Sequence, residues 1–249
     1  MKKKNINRLL LHLIFFCLYS LFLTNIINAQ GNKEVSVSAL TKLFTEKYGT
    51  DQNLINGIKY YDPNPKAPGN AFFEPDEFSK GWIVINGKQY NDLDLKFDIC
   101  RQNVVLSYSC NRGKEVLVLN KCAISEFCIK NKVFVKYILP GLPEGFYQEI
   151  KDGNITSLYY WHKKLIPRTN SLESAYEYSE QKRKSYLLIN GQLFSYKNNR
   201  SYIRCFPEKA QKQIKEFVKE KHFNVKNITD INMKILLEFC NNQVIHEEE

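Results

Sequence analysis

Three aspartates, Asp92, Asp94 and Asp98, fall at i, i+2 and i+6 along one apolar-alternating segment. On a β-strand that spacing sets all three on one face. A row of carboxylates can hold Ca²⁺ or divide acid–base work between its members. Leu93, Leu95, Phe97 and Ile99 fill the intervening positions, so the pattern also describes a solvated face opposite a buried one. A second candidate is aromatic. Tyr159-Tyr160-Trp161 and Tyr60-Tyr61 offer rings that can stack on sugars, and alternation along a strand leaves at most half of them available. Tyr159 and Trp161 therefore stand with the three aspartates as candidate binding residues.

Other chemistries fail on count or spacing. Beyond residue 29 the histidines are His162, His222 and His246, with no His-Glu-x-x-His pair, so a zincin is excluded. There is no Gly-x-Ser-x-Gly elbow, phosphate-binding loop or dinucleotide fingerprint. The six cysteines of this region, Cys100, Cys110, Cys122, Cys128, Cys205 and Cys240, contain no Cys-x-x-Cys pair. No metal, cofactor or catalytic residue is assigned, and Cys128 with His162 stays open only as an unsupported pairing. Six cysteines allow fifteen disulfide connectivities. The strand pattern sets Cys100 and Cys110 at opposite ends of one strand, and puts strand 114–120 between Cys110 and Cys128, a separation of roughly 9–10 Å. Cys205 and Cys240 fall in a helical region and could meet. The expectation is mostly buried thiols acting as small hydrophobes.

The elements that must position these groups are mainly strands. Asn-Gly or Asp-Gly pairs at 56–57, 86–87, 152–153 and 190–191 lie between runs rich in Ile, Val, Leu, Tyr and Phe, a hairpin code because such pairs tolerate positive φ. Strands are expected at 81–86, 88–90, 93–100, 103–110, 114–120, 122–129, 132–138, 145–151, 154–164, 185–190 and 192–196. They form an antiparallel meander closing into a sandwich or open barrel. Residues 62–75 hold four of the eight prolines and read as a rigid loop. The period then changes. Ala210, Ile214, Phe217 and Val218 mark one helix behind Pro207, and Ile231, Ile235, Leu236 and Phe239 mark a second, capped by Thr229 or Asp230.

The first 29 residues have a secretory pattern. Lys2, Lys3, Lys4 and Arg8 precede an apolar stretch from Leu9 to Ile27, and Ala29 offers the small residue a signal peptidase requires. An uncleaved anchor is the alternative. Cleavage lowers the formal net charge from +10 to +6 by removing those four cations. Export argues against nucleic acid as a partner, and membrane contact is expected only through the signal or peripherally. The most concentrated basic groups, Lys182-Arg183-Lys184 and Lys163-Lys164, read as solvated faces. The resulting division is 1–29 signal peptide, 30–197 antiparallel β domain and 198–249 helical cap.

Gly87-Lys88-Gln89-Tyr90, the run Leu93-x-Leu95-x-Phe97-Asp98, Val104-Val105-Leu106, Ile124-x-x-Phe127-x-Ile129 and Phe134 resemble a group of uncharacterised exported proteins common in Bacteroidota. The likeness continues through Leu142-Pro143-x-Gly145-Phe146-Tyr147, Lys163-Lys164 and Tyr186-Leu187-Leu188, and covers most of the chain beyond residue 29. It implies export to the periplasm or outer membrane and carries no activity. The expected function is a non-enzymatic binding or interaction module of the cell envelope, with a protein or polymer as partner. The alternatives are an envelope-polymer hydrolase using the aspartates, or a carbohydrate or lipid carrier with an apolar cavity.

Overall fold

The structure, a computed structural model, describes residues 51–245 except 75, 111–112 and 170–172. The segment 1–29 read as an export signal, and Asn111-Arg112 between the expected strands 103–110 and 114–120, lie outside the described residues. Thirteen strands follow in order: β1 Gly57–Lys59, β2 Ser79–Ile85, β3 Lys88–Asp98, β4 Asn103–Cys110, β5 Gly113–Leu119, β6 Ile124–Ile129, β7 Lys132–Tyr137, β8 Gly145–Asp152, β9 Ile155–His162, β10 Leu165–Pro167, β11 Tyr176–Tyr178, β12 Lys182–Ile189 and β13 Gln192–Tyr196. Three helices end the described chain: α1 Asn199–Ile203, α2 Glu208–Glu220 and α3 Asp230–Ile245.

Eleven strands make one antiparallel sheet in the order β1-β5-β4-β3-β2-β6-β7-β8-β9-β12-β13, which does not close into a barrel. Two of the expected Asn-Gly turns are present, with Asn86 and Gly87 at φ 51° and 78°, and Asn190 and Gly191 at 47° and 81°. The third hairpin turns one residue later than the code suggests, since Asp152 pairs with Ile155 across Gly153-Asn154. Asn56-Gly57 makes no hairpin. Gly57 begins an edge strand laid on β5, where a Cβ would sit 2.3 Å from the Val118 carbonyl oxygen, so close approach explains this glycine.

The order departs from a simple meander. β6 does not neighbour β5; it pairs with β2 on the far side. Cys110 and Cys128 therefore have β3 and β2 between them, rather than the strand 114–120. In a flat sheet β5 and β6 would lie four spacings, about 19 Å, apart. Their link, 120–123, is folded into a turn by an Ala123 N–H···O Asn120 bond and cannot reach that far. The sheet must coil. Phe97 on β3 and Phe146 on β8 are also four strands apart, yet their ring centroids lie 6.1 Å from each other. Phe97, Phe127, Phe134 and Phe146 fill the coil, with Ile83, Leu95, Val104 and Leu106 around them.

The last strands present their inner face to the helices. Ile155, Leu187, Ile189 and Tyr196 meet Ala210, Ile214, Val218, Met233, Leu236, Leu237 and Cys240. The expected face of α3 is corrected here. Ile231 and Ile235 point outward, at 75% and 41% exposure, while Met233, Leu237 and Cys240 lie beneath. Two apolar faces on one helix blur its period, which explains the misplacement. Thr229 caps α3 by accepting the Asn232 N–H. Phe217 of α2 stacks on Phe239 of α3, with centroids 3.9 Å apart.

One side chain holds the coil at its seam. The ladder between β8 and β9 ends at Gln148↔Tyr159, and the next hydrogen-bonding pair would be Phe146↔Trp161. The amide of Gln102, from the β3–β4 loop, stands between them. Its Oε1 accepts the Phe146 N–H at 3.1 Å, and its Nε2 donates to Trp161 O at 2.9 Å and Ile99 O at 3.2 Å. Gly145 makes room, since a Cβ there would lie 2.7 Å from Gln102 Oε1. Gln102→Leu strands the Phe146 N–H and the Trp161 carbonyl, each costing about 1–3 kcal/mol. The expected loss is about 3 kcal/mol, read as a lower urea midpoint. Gly145→Ala should add less in the double variant than alone, because both open the same seam.

Candidate functional site

The sequence-predicted aspartates do not form a shared site. Asp92 takes positive φ (56°) at a bulge where the β2–β3 register slips between Gly81↔Leu93 and Ile83↔Tyr90, which breaks the even spacing assumed for the row. Asp92 and Asp94 flank Lys80 at 3.6 and 3.2 Å on the surface. Asp98 is buried and turned into the β3–β4 loop. It accepts the Cys100 and Arg101 N–H groups at 2.9 Å each and the Arg101 guanidinium at 3.1 Å. Its two oxygens are thus committed to shaping the turn that delivers Gln102. Among the described residues no group of three His, Cys, Asp or Glu side chains is set to hold a metal.

The cysteines are free thiols among the described residues. Cys205 and Cys240 both reach the helical core but do not join. Cys205 Sγ lies 3.3 Å from Ser201 O, and Cys240 Sγ 3.7 Å from the Tyr202 hydroxyl. Burial pushes these thiols up to about 11 and about 12. Cys100 and Cys128 are also raised by burial.

The aromatic candidates fare differently. Tyr159 and Trp161 share a face of β9, and β12 pairs with β9 so that Arg183 stands opposite Trp161. Tyr159 is fully buried. The Arg183 guanidinium lies 4.1 Å from the Tyr159 ring centroid and 5.6 Å from that of Trp161. It also donates to Val225 O at 2.8 Å and Lys226 O at 2.9 Å, tying β12 to the α2–α3 connection. Asn199 grips the same connection. Its Nδ2 donates to Phe223 O at 2.7 Å, and its Oδ1 accepts the Val225 N–H at 2.8 Å. Trp161 is half-buried, gives its indole N–H to the buried Gln148 at 2.8 Å, and sets its ring edgewise to Phe73.

Above this platform opens a cleft of about 1270 Å³. Its walls are Gln181 with the upper part of β12 from Lys182 to Tyr186, the end of β13 at Ser195 and Tyr196 with Lys197 after it, the α2–α3 connection with the start of α3, and Trp161 with Phe73. Lys132, Lys182, Arg183, Lys184, Lys197 and Lys226 line it against two carboxylates. Both carboxylates are paired, Asp230 with Lys132 at 2.5 Å and Glu74 with Lys130 at 3.2 Å. Lys182, Lys184, Lys197 and Lys226 form no ion pair among the described residues, and all four are exposed. Register places Arg183 on one face of β12 and Lys182 and Lys184 on the other, so the cleft is basic on both sides of the strand edge. The expectation that Lys182-Arg183-Lys184 is simply a solvated face thus omitted a cavity. The triplet is visible in the sequence, whereas Lys132, Lys197 and Lys226 join it only through folding.

His162, paired with Lys182 across the strands, has its pKa lowered by burial and then by Lys184, Lys164 and Lys182. Positive potential on this side of the edge thus has an internal reporter. No known protein-family model, curated protein or solved structure matches the chain.

Replacing Arg183 by Lys removes the planar fork that spans two carbonyls and the stack on two rings. A loss of about 2 kcal/mol in stability is expected, with faster amide exchange at Val225 and Lys226. The depressed His162 contributes stability that is full above its ordinary value of about 6.5 and is lost as pH falls towards the folded value, because the unfolded chain protonates first. An NMR titration should find the His162 midpoint below that ordinary value, and Lys184→Gln should move it upward.

Proposed function

We propose that this chain is a binding module of the bacterial cell envelope, exported by the signal read in residues 1–29, and that it holds a polyanionic ligand in the cleft beside β12. One observation carries the reading: the cleft has a preformed wall fixed by Arg183 and Asn199, four lysines without ion-pair partners among the described residues, and no unpaired carboxylate. Holding like charges around a concavity is unfavourable in the absence of a counter-charge, and a low-dielectric wall concentrates their field on whatever enters.

A hydrolase would need an acid and a base within reach of one bond. The three strand aspartates are divided between a surface lysine and a turn, and the two cleft carboxylates are neutralised by lysines. A carrier would need an apolar chamber, and phenylalanine rings occupy the centre of the coil. Binding to a fixed basic cleft is the reading these arrangements support best.

The test uses poly-L-glutamate and polygalacturonate as probes in titration calorimetry. At least one should bind, with affinity falling steeply between 50 and 300 mM NaCl as the Debye length shortens and the exposed lysines are screened. Lys197→Glu/Lys226→Glu should weaken binding at least tenfold with the thermal midpoint unchanged, since both side chains are exposed. Release of reducing ends from polygalacturonate would argue for the hydrolase instead. Binding insensitive to the lysine pair would place the ligand elsewhere.

A further inference from the structure

The way β12 and β13 end narrows the ligand of this cleft, on the premise that the cleft is the binding site. β12 spans Lys182–Ile189, but β13 covers only Ser185–Ile189, with Ser185↔Tyr196 as the last pair. Beyond Tyr196 the chain turns away into α1, whose start is locked by a capping box between Asn198 and Ser201. Lys182, Arg183 and Lys184 therefore pair with β9 on one side and with no strand on the other, among the described residues. This open edge is about 10 Å long at the usual rise of a strand.

The direction of the free backbone groups follows from register. The two-residue Asn190-Gly191 hairpin is closed by Ile189↔Gln192, and Asn190 N–H donates to Asn154 O on the β9 side. Hydrogen-bonding pairs alternate along an antiparallel strand. Even-numbered residues of β12 thus bond to β9, and odd-numbered residues turn towards β13. Leu187 and Ser185 find Phe194 and Tyr196 there. Arg183 has no partner strand, so its N–H and C=O both point out of the sheet edge into the cleft, while its side chain is held elsewhere by the α2–α3 carbonyls.

We propose that the cleft receives an extended acidic segment of a partner protein, added as a strand to the upper edge of β12. Such a segment would exchange its main-chain groups with those of Arg183. Its alternate side chains would face the two sides of the edge, Lys182 and Lys184 on one, and Lys226, whose carbonyl Arg183 holds, on the other. Acidic residues therefore suit both faces of the incoming strand. A polysaccharide satisfies the lysines but has no regular donor–acceptor pair matched to a strand edge.

The probe is a synthetic octapeptide of repeating Glu-Glu-Val-Val, which sets Glu on both faces of a strand, compared with the same peptide N-methylated at alternate residues and with polygalacturonate. The proposal expects the parent peptide to bind, N-methylation on the edge-facing side to weaken it at least tenfold, and Arg183 amide exchange to slow at least tenfold in the complex. Lys182→Glu/Lys184→Glu should weaken binding at least tenfold, with far-UV circular dichroism reporting that the variant is folded. Peptide binding unaffected by N-methylation on either side, or an unchanged Arg183 amide, overturns strand addition. Polygalacturonate binding through the same lysines without peptide binding overturns it too, while leaving a polyanion cleft in place. Failure of every polyanion to bind removes both readings.

Discussion

A single carboxamide at the β8–β9 seam governs much of this structure. Gln102 does for Phe146 and Trp161 what a peptide group of a continuous ladder would do, accepting from one strand and donating to the other. A side-chain amide has the donor and acceptor capacity of a backbone unit, so the Phe146 N–H and the Trp161 carbonyl stay satisfied although the strands part there. It also couples elements distant in sequence, joining the β3–β4 loop to the start of β8 and the end of β9. Gly145 is required because any side chain would occupy the place of the amide.

The coil and the cleft are linked through that seam. Trp161, whose carbonyl Gln102 holds, packs against both the phenylalanine core of the coil and the helical core below β9 and β12. The residues opposite and beside it, Arg183 and Tyr159, form the platform on which the α2–α3 connection rests. Arg183 is consumed in this work, so its charge raises the potential of the cleft while its donors serve the fold. Lys182, Lys184, Lys197 and Lys226 around it are exposed and form no ion pair among the described residues, an arrangement that suits the proposed polyanion more than one bidentate anion.

Asp98 illustrates how a residue that looks catalytic can be structural. Its carboxylate accepts two backbone N–H groups and a guanidinium, and so shapes the loop from which Gln102 projects. The strand reading placed it on a row with Asp92 and Asp94, but the row spans a bulge and a strand end, where period-two reasoning fails. Tyr159 and Trp161 were recognisable as strand residues of interest. Their different fates, one buried in the helical core beneath a guanidinium and one lining a cavity, depend on Arg183 and on the helices, all of which lie 22 or more residues beyond Trp161 in the chain.

Strand content, the C-terminal helices and the tight turns at Asn86-Gly87 and Asn190-Gly191 were legible in the sequence, because alternation, helical period and positive-φ residues are local properties. So was the basic triplet on β12. The strand order was not, since a turn of four residues after β5 says nothing of which strand the next one will pair with. The outward face of α3 was hidden by its second apolar face. The sequence by itself determined which segments are strands and which residues are charged. Only the tertiary structure decided where the sheet coils, which edge stays open and which lysines converge there, because each depends on contacts between residues tens of positions apart that no local period encodes.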